Sequence, residues 1–214
     1  MSVPDKISKV YIEKLQDLKE RIISFKYVLP YIKGKKVLDL GCANGKYLEV
    51  LSNDSVGVDI SNPNIEECKK NGLNAIKVDI NRLFLDEFKA GSFEGILCSH
   101  VLEHVNSPID LLRECHRILE DDGILVLGLP IEGGAVGFKD RYFKNHSGHL
   151  YSFSLDNIAA LLEKTDFRIV DIYFELPLFT RLKLPLVLLD QLQKLPNWIL
   201  HKLSRAYWII GKRT

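Results

Sequence analysis

Two acidic side chains and a pair of glycines carry the clearest chemical signal in the sequence. Asp39 stands two positions before Gly41 in VLDLGCANGKYLEVL (37–51), Gly45 follows, and Asp59 ends the next apolar run. A turn between an apolar strand and a helix is where an open α/β sheet binds its ligand. Asp59 is placed to accept hydrogen bonds from both ribose hydroxyls, and Asp39 to meet a cationic amine. Backbone N–H groups at the following helix can hold a carboxylate, so the pattern predicts a nucleoside that carries an amino acid.

The turn matches neither of the common nucleotide-binding motifs. A dinucleotide fingerprint, G-x-G-x-x-G, requires glycine at two positions that hold Ala43 and Lys46. A P-loop requires four residues between its glycines and a Ser or Thr after the lysine, and the segment from Gly41 to Tyr47 fails both tests. A nicotinamide-dependent oxidoreductase is therefore disfavoured, although it stays an alternative.

The motifs along the chain resemble those of class I S-adenosylmethionine (SAM)-dependent methyltransferases of the type-11 methyltransferase-domain group. The matching segments are DLGCANG for the glycine motif, VGVDIS for the ribose-binding strand, IKVDIN for the adenine-contacting turn, FEGILCSHVLEHV for the fourth strand and RILEDDGILVLGLP for the fifth. The resemblance covers residues 35–175, and AYWIIGKRT is similar to the last, antiparallel strand of that family.

The resemblance implies SAM as the cofactor and assigns a role to each matching position. The residues around the methionine part are Asp39, Gly41, Cys42, Ala43 and Gly45. The ribose and adenine are flanked by Asp59 and Ile60, the adenine edge is held and covered by Asp79 and Ile80, and the fourth strand ends at Ser99 and His100. Ala43 stands where the family most often has glycine, which weakens binding only if the position requires positive φ. Asp79 has an alternative role as a turn-capping residue.

The segment from His100 to His104 spells H-x-x-E-H, a pattern found in zinc peptidases on one face of a helix. In this chain it follows a strand, so a peptidase is not expected. The segment also resembles that of some ubiquinone-pathway O-methyltransferases, in which the L-E-H triplet and an acidic residue three places before its Glu hold a divalent cation. His100 occupies that upstream position, so no metal is predicted. Glu103 and His104 are expected to be buried hydrogen-bonding residues that shape the pocket floor.

Three histidines are the candidates for a catalytic base. His146 and His149 lie in the polar loop KNHSGHLYSF, where with Tyr151 they match the substrate wall of the family, and His104 lies in the fourth-strand motif. Neutral imidazole is the usual base for methyl transfer to oxygen or nitrogen. The alternative is an ordinary surface loop, and a base is optional because the sulfonium is already activated.

Short apolar runs alternate with helical patterns from residue 37 onwards. Strands are predicted at 37–40, 56–59, 75–78, 93–98, 123–129, 167–175 and 206–212. Helices are predicted at 9–28, 45–52, 62–71, 107–119 and within SLDNIAALLEKTDF, where Ser154 caps Asn157. Alternation of this kind predicts a doubly wound α/β fold, a seven-stranded and mostly parallel sheet with one antiparallel strand.

A single domain, 1–214, is expected to have three parts. They are an N-terminal helical extension (1–34), a SAM-binding core (35–175), and a lid or helical segment with the last strand (176–214). Residues 176–204 combine leucines and Trp198 with basic residues, and Pro185 and Pro196 interrupt any helix. Core packing is one interpretation of this segment. The other is a mobile or interfacial cover for an apolar acceptor, with peripheral membrane contact.

Composition limits the classes of function. The 214 residues are 46% hydrophobic and 27% charged, with a net charge of +1 and four cysteines outside any metal or disulfide pattern. The N-terminus lacks the apolar run of a secretory signal, so a cytoplasmic location is expected. No nucleic-acid-binding module is recognised. The sequence therefore predicts a methyltransferase that acts on a small or lipid-like molecule. The alternative is a SAM-binding regulatory protein without methyl transfer.

Overall fold

The computed structural model describes residues 25–81, 87–131, 148–176 and 186–214. Its centre is a seven-stranded sheet in the order β3-β2-β1-β4-β5-β7-β6. The strands are β1 (Val37–Leu40), β2 (Val56–Asp59), β3 (Ala75–Lys77), β4 (Phe93–Ser99), β5 (Leu119–Pro130), β6 (Phe167–Glu175) and β7 (Ala206–Arg213). β7 is antiparallel to both of its neighbours, and the pairs from β3 to β5 are parallel. The predicted fold class is confirmed.

Helices cover both faces of this sheet. They are α1 (Phe25–Ile32), α2 (Asn62–Lys70), α3 (Pro108–Ile118), α4 (Leu155–Lys164), α5 (Leu186–Leu192) and α6 (Asn197–Leu203), with 3-10 helices at Leu48–Val50 and Leu102–His104. On one face, α1 packs near β4, β5 and β7 and α2 near β2 and β3, and their Leu29 and Ile65 belong to the same core cluster as Trp208. On the other face, α3, α4 and α6 pack against the alternate side chains of β5 and β7. Strands buried on both faces explain the nearly continuous apolar runs in the sequence.

Local capping signals set where the helices begin. The Ser61 hydroxyl accepts a hydrogen bond from the Asn64 N–H, and α2 starts at the next residue. Ser154 caps Asn157 at 3.2 Å, as predicted. These side chains satisfy N–H groups that the first turn of a helix leaves without a partner.

Three predicted elements differ from the structure by more than one residue at an end. The predicted helix 45–52 is only the 3-10 helix Leu48–Val50, because Gly45 has a φ of +82° and the chain is still turning there. β5 begins at Leu119, four residues before its predicted start. α1 continues through Pro30 to Ile32, beyond the predicted end at residue 28, and the part of that prediction before residue 25 lies outside the described residues.

The segment before β7 is attached to the sheet and to α1 by polar side chains. The Gln193 amide donates to the Phe174 carbonyl (2.7 Å) and accepts from the Phe174 N–H (3.1 Å), which pairs the exposed edge of β6. Asp190 on α5 accepts from the Tyr27 hydroxyl at 2.7 Å. α6 begins after Pro196, so this proline separates two helices as predicted. Pro185 lies outside the described residues, and the domain boundaries at 34 and 175 stay predictions.

In the part of the chain that the structure describes, none of the helices has the length and apolar character needed to cross a membrane.

Gly128 on β5 pairs with Trp208 on β7, and a Cβ at Gly128 would lie 2.8 Å from the indole ring. We expect Gly128→Ala to lower the free energy of unfolding by about 1–3 kcal/mol, the usual range for overpacking a core. The matched control is Gly211→Ala, whose Cβ would meet nothing closer than 3.6 Å. Urea denaturation of both variants is the measurement, and equal losses would contradict the packing explanation.

Candidate cofactor and acceptor site

The glycine turn leaves the carboxyl end of β1 in a left-handed conformation. Gly41 has a φ of +68°, and a Cβ there would lie 2.5 Å from a methyl group of Val101. The Cys42 N–H donates to the Val58 carbonyl at 2.9 Å, so the turn is tied to β2. β1 lies between β2 and β4, where the strand order reverses. Open α/β sheets bind ligands at this point.

Ala43 has a φ of +47°. The position therefore requires positive φ, which is the case in which alanine in place of glycine is expected to weaken cofactor binding. An L-residue in the left-handed region costs about 1–2 kcal/mol relative to its ordinary conformation. Two contacts hold the residue in place. Its N–H donates to Asp59 Oδ2 at 2.9 Å, and its carbonyl accepts from the Cys68 thiol at 3.4 Å.

Asp59 does more than the sequence predicted. Besides Ala43, its carboxylate accepts from the Ser61 N–H at 2.8 Å and from the Asn64 amide at 3.4 Å, both through Oδ1. The side chain therefore joins the glycine turn to the start of α2. A carboxylate offers about four lone-pair sites, so these three bonds leave limited capacity for a ribose hydroxyl. The missed partners had a sequence signal, the Ser-Asn-Pro-Asn cap directly after VGVDI.

Asp39 is almost completely buried, and its Oδ2 has no hydrogen-bond partner among the described residues. Burial, and to a lesser degree the charge of Asp59, raise the pKa of Asp39 well above its usual range. A buried carboxyl group without a partner is unfavourable unless a ligand supplies the missing contact. A cationic amine would do so and would favour the ionised acid, which fits the amino group of SAM.

The remaining predicted cofactor residues lie at the ends of β2, β3 and β4. The Val78 N–H donates to the Asp59 carbonyl at 3.1 Å, which keeps the end of β3 close to the end of β2. Asp79 accepts from the Asn81 N–H at 3.1 Å, as a turn-capping residue does. Ile60 is 59% exposed and available to cover a ligand. Ile80 is partly buried against the core, next to this turn.

Ser99 ends β4, and His100 follows it with a φ of +55°. The His100 N–H donates to the Gly128 carbonyl at 2.9 Å, which fixes this exit from the sheet. A histidine in the left-handed region is uncommon and marks a position that the surrounding structure determines. The predicted roles of Ser99 and His100 stay predictions.

The predicted acceptor side combines the 3-10 helix Leu102–His104 with the residues before α4. The rings of His104 and His149 meet edge to face, with centroids 4.7 Å apart. The Tyr151 hydroxyl donates to the Asn106 carbonyl at 2.9 Å. His146 lies outside the described residues. Glu103 is buried as predicted, but its carboxylate has no hydrogen-bond partner in the described ranges, so its expected hydrogen-bonding role is corrected. His104 is not buried, which corrects the expected burial of that residue, although its Nδ1 lies 3.2 Å from the Gly148 carbonyl.

Comparison with known proteins gives the family. The family model described as "Methyltransferase domain" matches residues 11–172. The chain belongs to the methyltransferase domain family. This match favours methyl transfer over the nicotinamide-dependent alternative. The family and the fold together imply SAM as the cofactor, as the sequence predicted.

Individual relatives align with only part of this chain. A ubiquinone biosynthesis O-methyltransferase of Actinobacillus pleuropneumoniae is 30% identical over 43% of this chain and 44% of that protein. An uncharacterized protein of Methanocaldococcus jannaschii is 39% identical over 57% of this chain and 48% of that protein. The chain thus spans less than half the length of these curated relatives. A SAM-dependent methyltransferase from Archaeoglobus fulgidus has the same fold, with a TM-score of 0.67 at 21% identity over 96% of this chain and 100% of that one.

Asp39 gives a prediction about pH. Because its pKa is raised in the folded state, the folded protein retains a proton that the unfolded chain loses, so stability falls as pH rises above about 4. Asp39→Asn removes this titration. We expect the variant to become progressively more stable than the wild type as pH is raised, while its affinity for SAM falls.

Thermal unfolding at a series of pH values, with calorimetry for SAM, is the measurement. Asp54→Asn, a change at an exposed acid, is the control and leaves the pH profile unchanged. A stability difference that is independent of pH would contradict the assignment.

Proposed function

We propose that the protein transfers the methyl group of SAM to an oxygen, nitrogen or carbon atom of a small or lipid-like acceptor. The observation that carries the proposal is the glycine turn with its two acids. Asp39 is a buried carboxyl whose Oδ2 lacks a hydrogen-bond partner among the described residues, and Asp59 holds the turn from the adjacent strand. Together they suit the amine and the ribose of one ligand.

The cofactor roles proposed for individual residues follow from position. The segment from Asp39 to Gly45 surrounds the methionine part, and Asp59 with Ile60 flanks the ribose and adenine. Asp79 and Ile80 border the adenine, and Ser99 and His100 lie where the cofactor meets the acceptor. Exposure of Ile60 and partial burial of Asp79 support these roles, since a binding surface must be open on one side.

The bound cofactor supplies a methyl group on a positively charged sulfur, which is already a good electrophile. The chain's contribution is to hold the acceptor in line, to exclude water, and to take the acceptor's proton where one must leave. His104 and His149 are the candidates for that last task among the described residues, because they lie together on the acceptor side. His146 stays a candidate from sequence alone.

The acceptor class is supported by homology and by one surface. Ubiquinone biosynthesis O-methyltransferases among the relatives favour a small molecule. Trp198 on α6 is 65% exposed, and the Lys202 ammonium lies 5.5 Å from its ring centre. Leu200 on the same helix is buried in the core. The buried Leu200 supports the interpretation of α6 as a helix that packs into the core. The exposed Trp198 and Lys202 support the second interpretation, a helix that presents an aromatic and basic face to a membrane surface.

Replacement of Asp59 tests cofactor binding. In Asp59→Asn the amide can no longer accept bonds on both sides, so the turn loses an anchor and the ribose loses a charged acceptor. We expect affinity for SAM and for its demethylated product to fall about 10- to 100-fold. Calorimetry is the measurement, with thermal unfolding to show that the variant is folded and Asp54→Asn as the matched control.

Unchanged affinity in Asp59→Asn would contradict the proposed site.

Turnover separates an enzyme from a SAM-binding regulatory protein. Purified protein with SAM and extracted metabolites or lipids is expected to give a product heavier by one methyl group. Binding without any methylated product would favour the regulatory alternative.

Flotation with vesicles tests the proposed membrane contact. We expect the wild type to float with phosphatidylglycerol vesicles at low salt, and with phosphatidylcholine vesicles much less. Trp198→Ala and Lys202→Glu should each reduce the bound fraction several-fold, since one removes the apolar contact and the other the attraction to anionic lipid. Lys70→Glu, on the opposite face of the sheet, is the control. If the wild type stays unbound, the segment is ordinary core packing.

A further inference from the structure

Three potential metal ligands converge from two separate segments on the acceptor side. Glu103 and His104 belong to the 3-10 helix Leu102–His104, and His149 lies six residues before α4. One ligand atom from each side chain lies within 4.8 Å of the other two. No local sequence motif contains all three, because His149 follows His104 by 45 positions.

The backbone holds the two segments together. The N–H groups of Leu150 and Tyr151 both donate to the Glu103 carbonyl, at 2.8 and 3.2 Å. His104 Nδ1 lies 3.2 Å from the Gly148 carbonyl. A hydrogen bond there fixes the tautomer with the proton on Nδ1 and leaves a lone pair on Nε2. Histidines that bind metals commonly donate their second nitrogen to a backbone carbonyl in this way.

Glu103 is the observation that points to a cation. Its side chain is fully buried, and neither carboxylate oxygen has a hydrogen-bond partner in the ranges that the structure describes. His100 Nδ1 lies 3.3 Å from Oε1 without forming a hydrogen bond, so at most one oxygen is compensated, and only when that imidazole is protonated. Buried carboxylates are normally hydrogen-bonded, paired with a charge, or bound to a metal.

We propose that Glu103, His104 and His149 bind one divalent transition-metal ion of the zinc type. Two imidazoles with one carboxylate suit zinc, whereas magnesium prefers oxygen ligands. The cation site of the ubiquinone-pathway enzymes uses an acidic residue three places before the glutamate, and His100 occupies that position in this chain. The proposed site instead takes its third ligand, His149, from the segment before α4. Ligands about 2.1 Å from zinc are about 3.4 Å apart in a tetrahedron. The three ligand atoms lie within 4.8 Å of one another, so zinc binding requires the cluster to contract by up to about 1.4 Å.

Three protein ligands leave one tetrahedral position for water or substrate. The site lies just beyond the end of β4, on the acceptor side. If the proposed function holds, the ion would bind an acceptor oxygen and lower the pKa of its hydroxyl group. The two histidines would then act as ligands instead of bases, and the preferred acceptor would carry an ionisable hydroxyl.

Metal binding by the full chain is measured after treatment with chelator, first with Zn²⁺ and then with Co²⁺. We expect one equivalent of zinc by elemental analysis, a higher melting temperature, and visible absorption of tetrahedral cobalt. His149→Ala should weaken zinc affinity at least about tenfold in competition with a chelating dye. The matched control is His201→Ala on α6, whose affinity should equal that of the wild type.

His104→Ala and Glu103→Gln are the second and third variants, with thermal unfolding measured for each, so that loss of the fold in one does not remove the test. The inference is overturned if the wild type binds less than one equivalent of zinc. It is also overturned if every folded variant binds zinc as tightly as the wild type, or if Mg²⁺ stabilises the protein and Zn²⁺ does not. Calorimetry with SAM on the same samples separates the two proposals, because SAM binding without zinc binding leaves the proposed function intact.

Discussion

The hydrogen bond from the Ala43 N–H to Asp59 is the contact on which the cofactor edge depends. It joins the turn after β1 to the end of β2 across neighbouring parallel strands, and the same carboxylate holds the start of α2 through Ser61. Without it, a non-glycine residue at positive φ would have less to keep it in the left-handed region. One side chain thus fixes both the turn and the helix start.

The order of elements and the cofactor motif could be predicted from the sequence, because they depend on local patterns. Buried parallel strands read as apolar runs, and Ser154 caps α4 where a cap was expected. The missing information was non-local. Gly45 has a φ of +82° where the helix expected at 45–52 would begin, and a Cβ there would meet Cys68 and Leu73, which are distant in sequence. Glu103 and His149 are likewise brought together from separate segments. Single-sequence periodicity carries no signal for such contacts.

Both incompletely satisfied acids lie at the same edge of the sheet. Asp39 is the last residue but one of β1, and Glu103 lies in the 3-10 helix just after β4. Each is buried with at least one carboxylate oxygen unpaired among the described residues. Positive φ at Ala43 and His100 adds backbone strain at the same edge. The core below is well packed and apolar, so its stability supports these unfavourable features. Their coincidence at one edge favours ligand binding over chance.

The two halves of this edge, one proposed to bind the cofactor and the other the acceptor, are built differently. This difference limits which functional properties can be inferred from similarity to relatives. The half that we assign to the cofactor consists of strand ends and a turn whose backbone is fixed by neighbouring strands. The acceptor half consists of a 3-10 helix and the segment 148–151, joined mainly through the Glu103 carbonyl and the contacts of Tyr151 and His104. Side chains on such a segment can change without disturbing the sheet. The family match therefore supports the proposed methyl transfer, and we expect the choice of acceptor to depend on residues such as His149 in the segment 148–151.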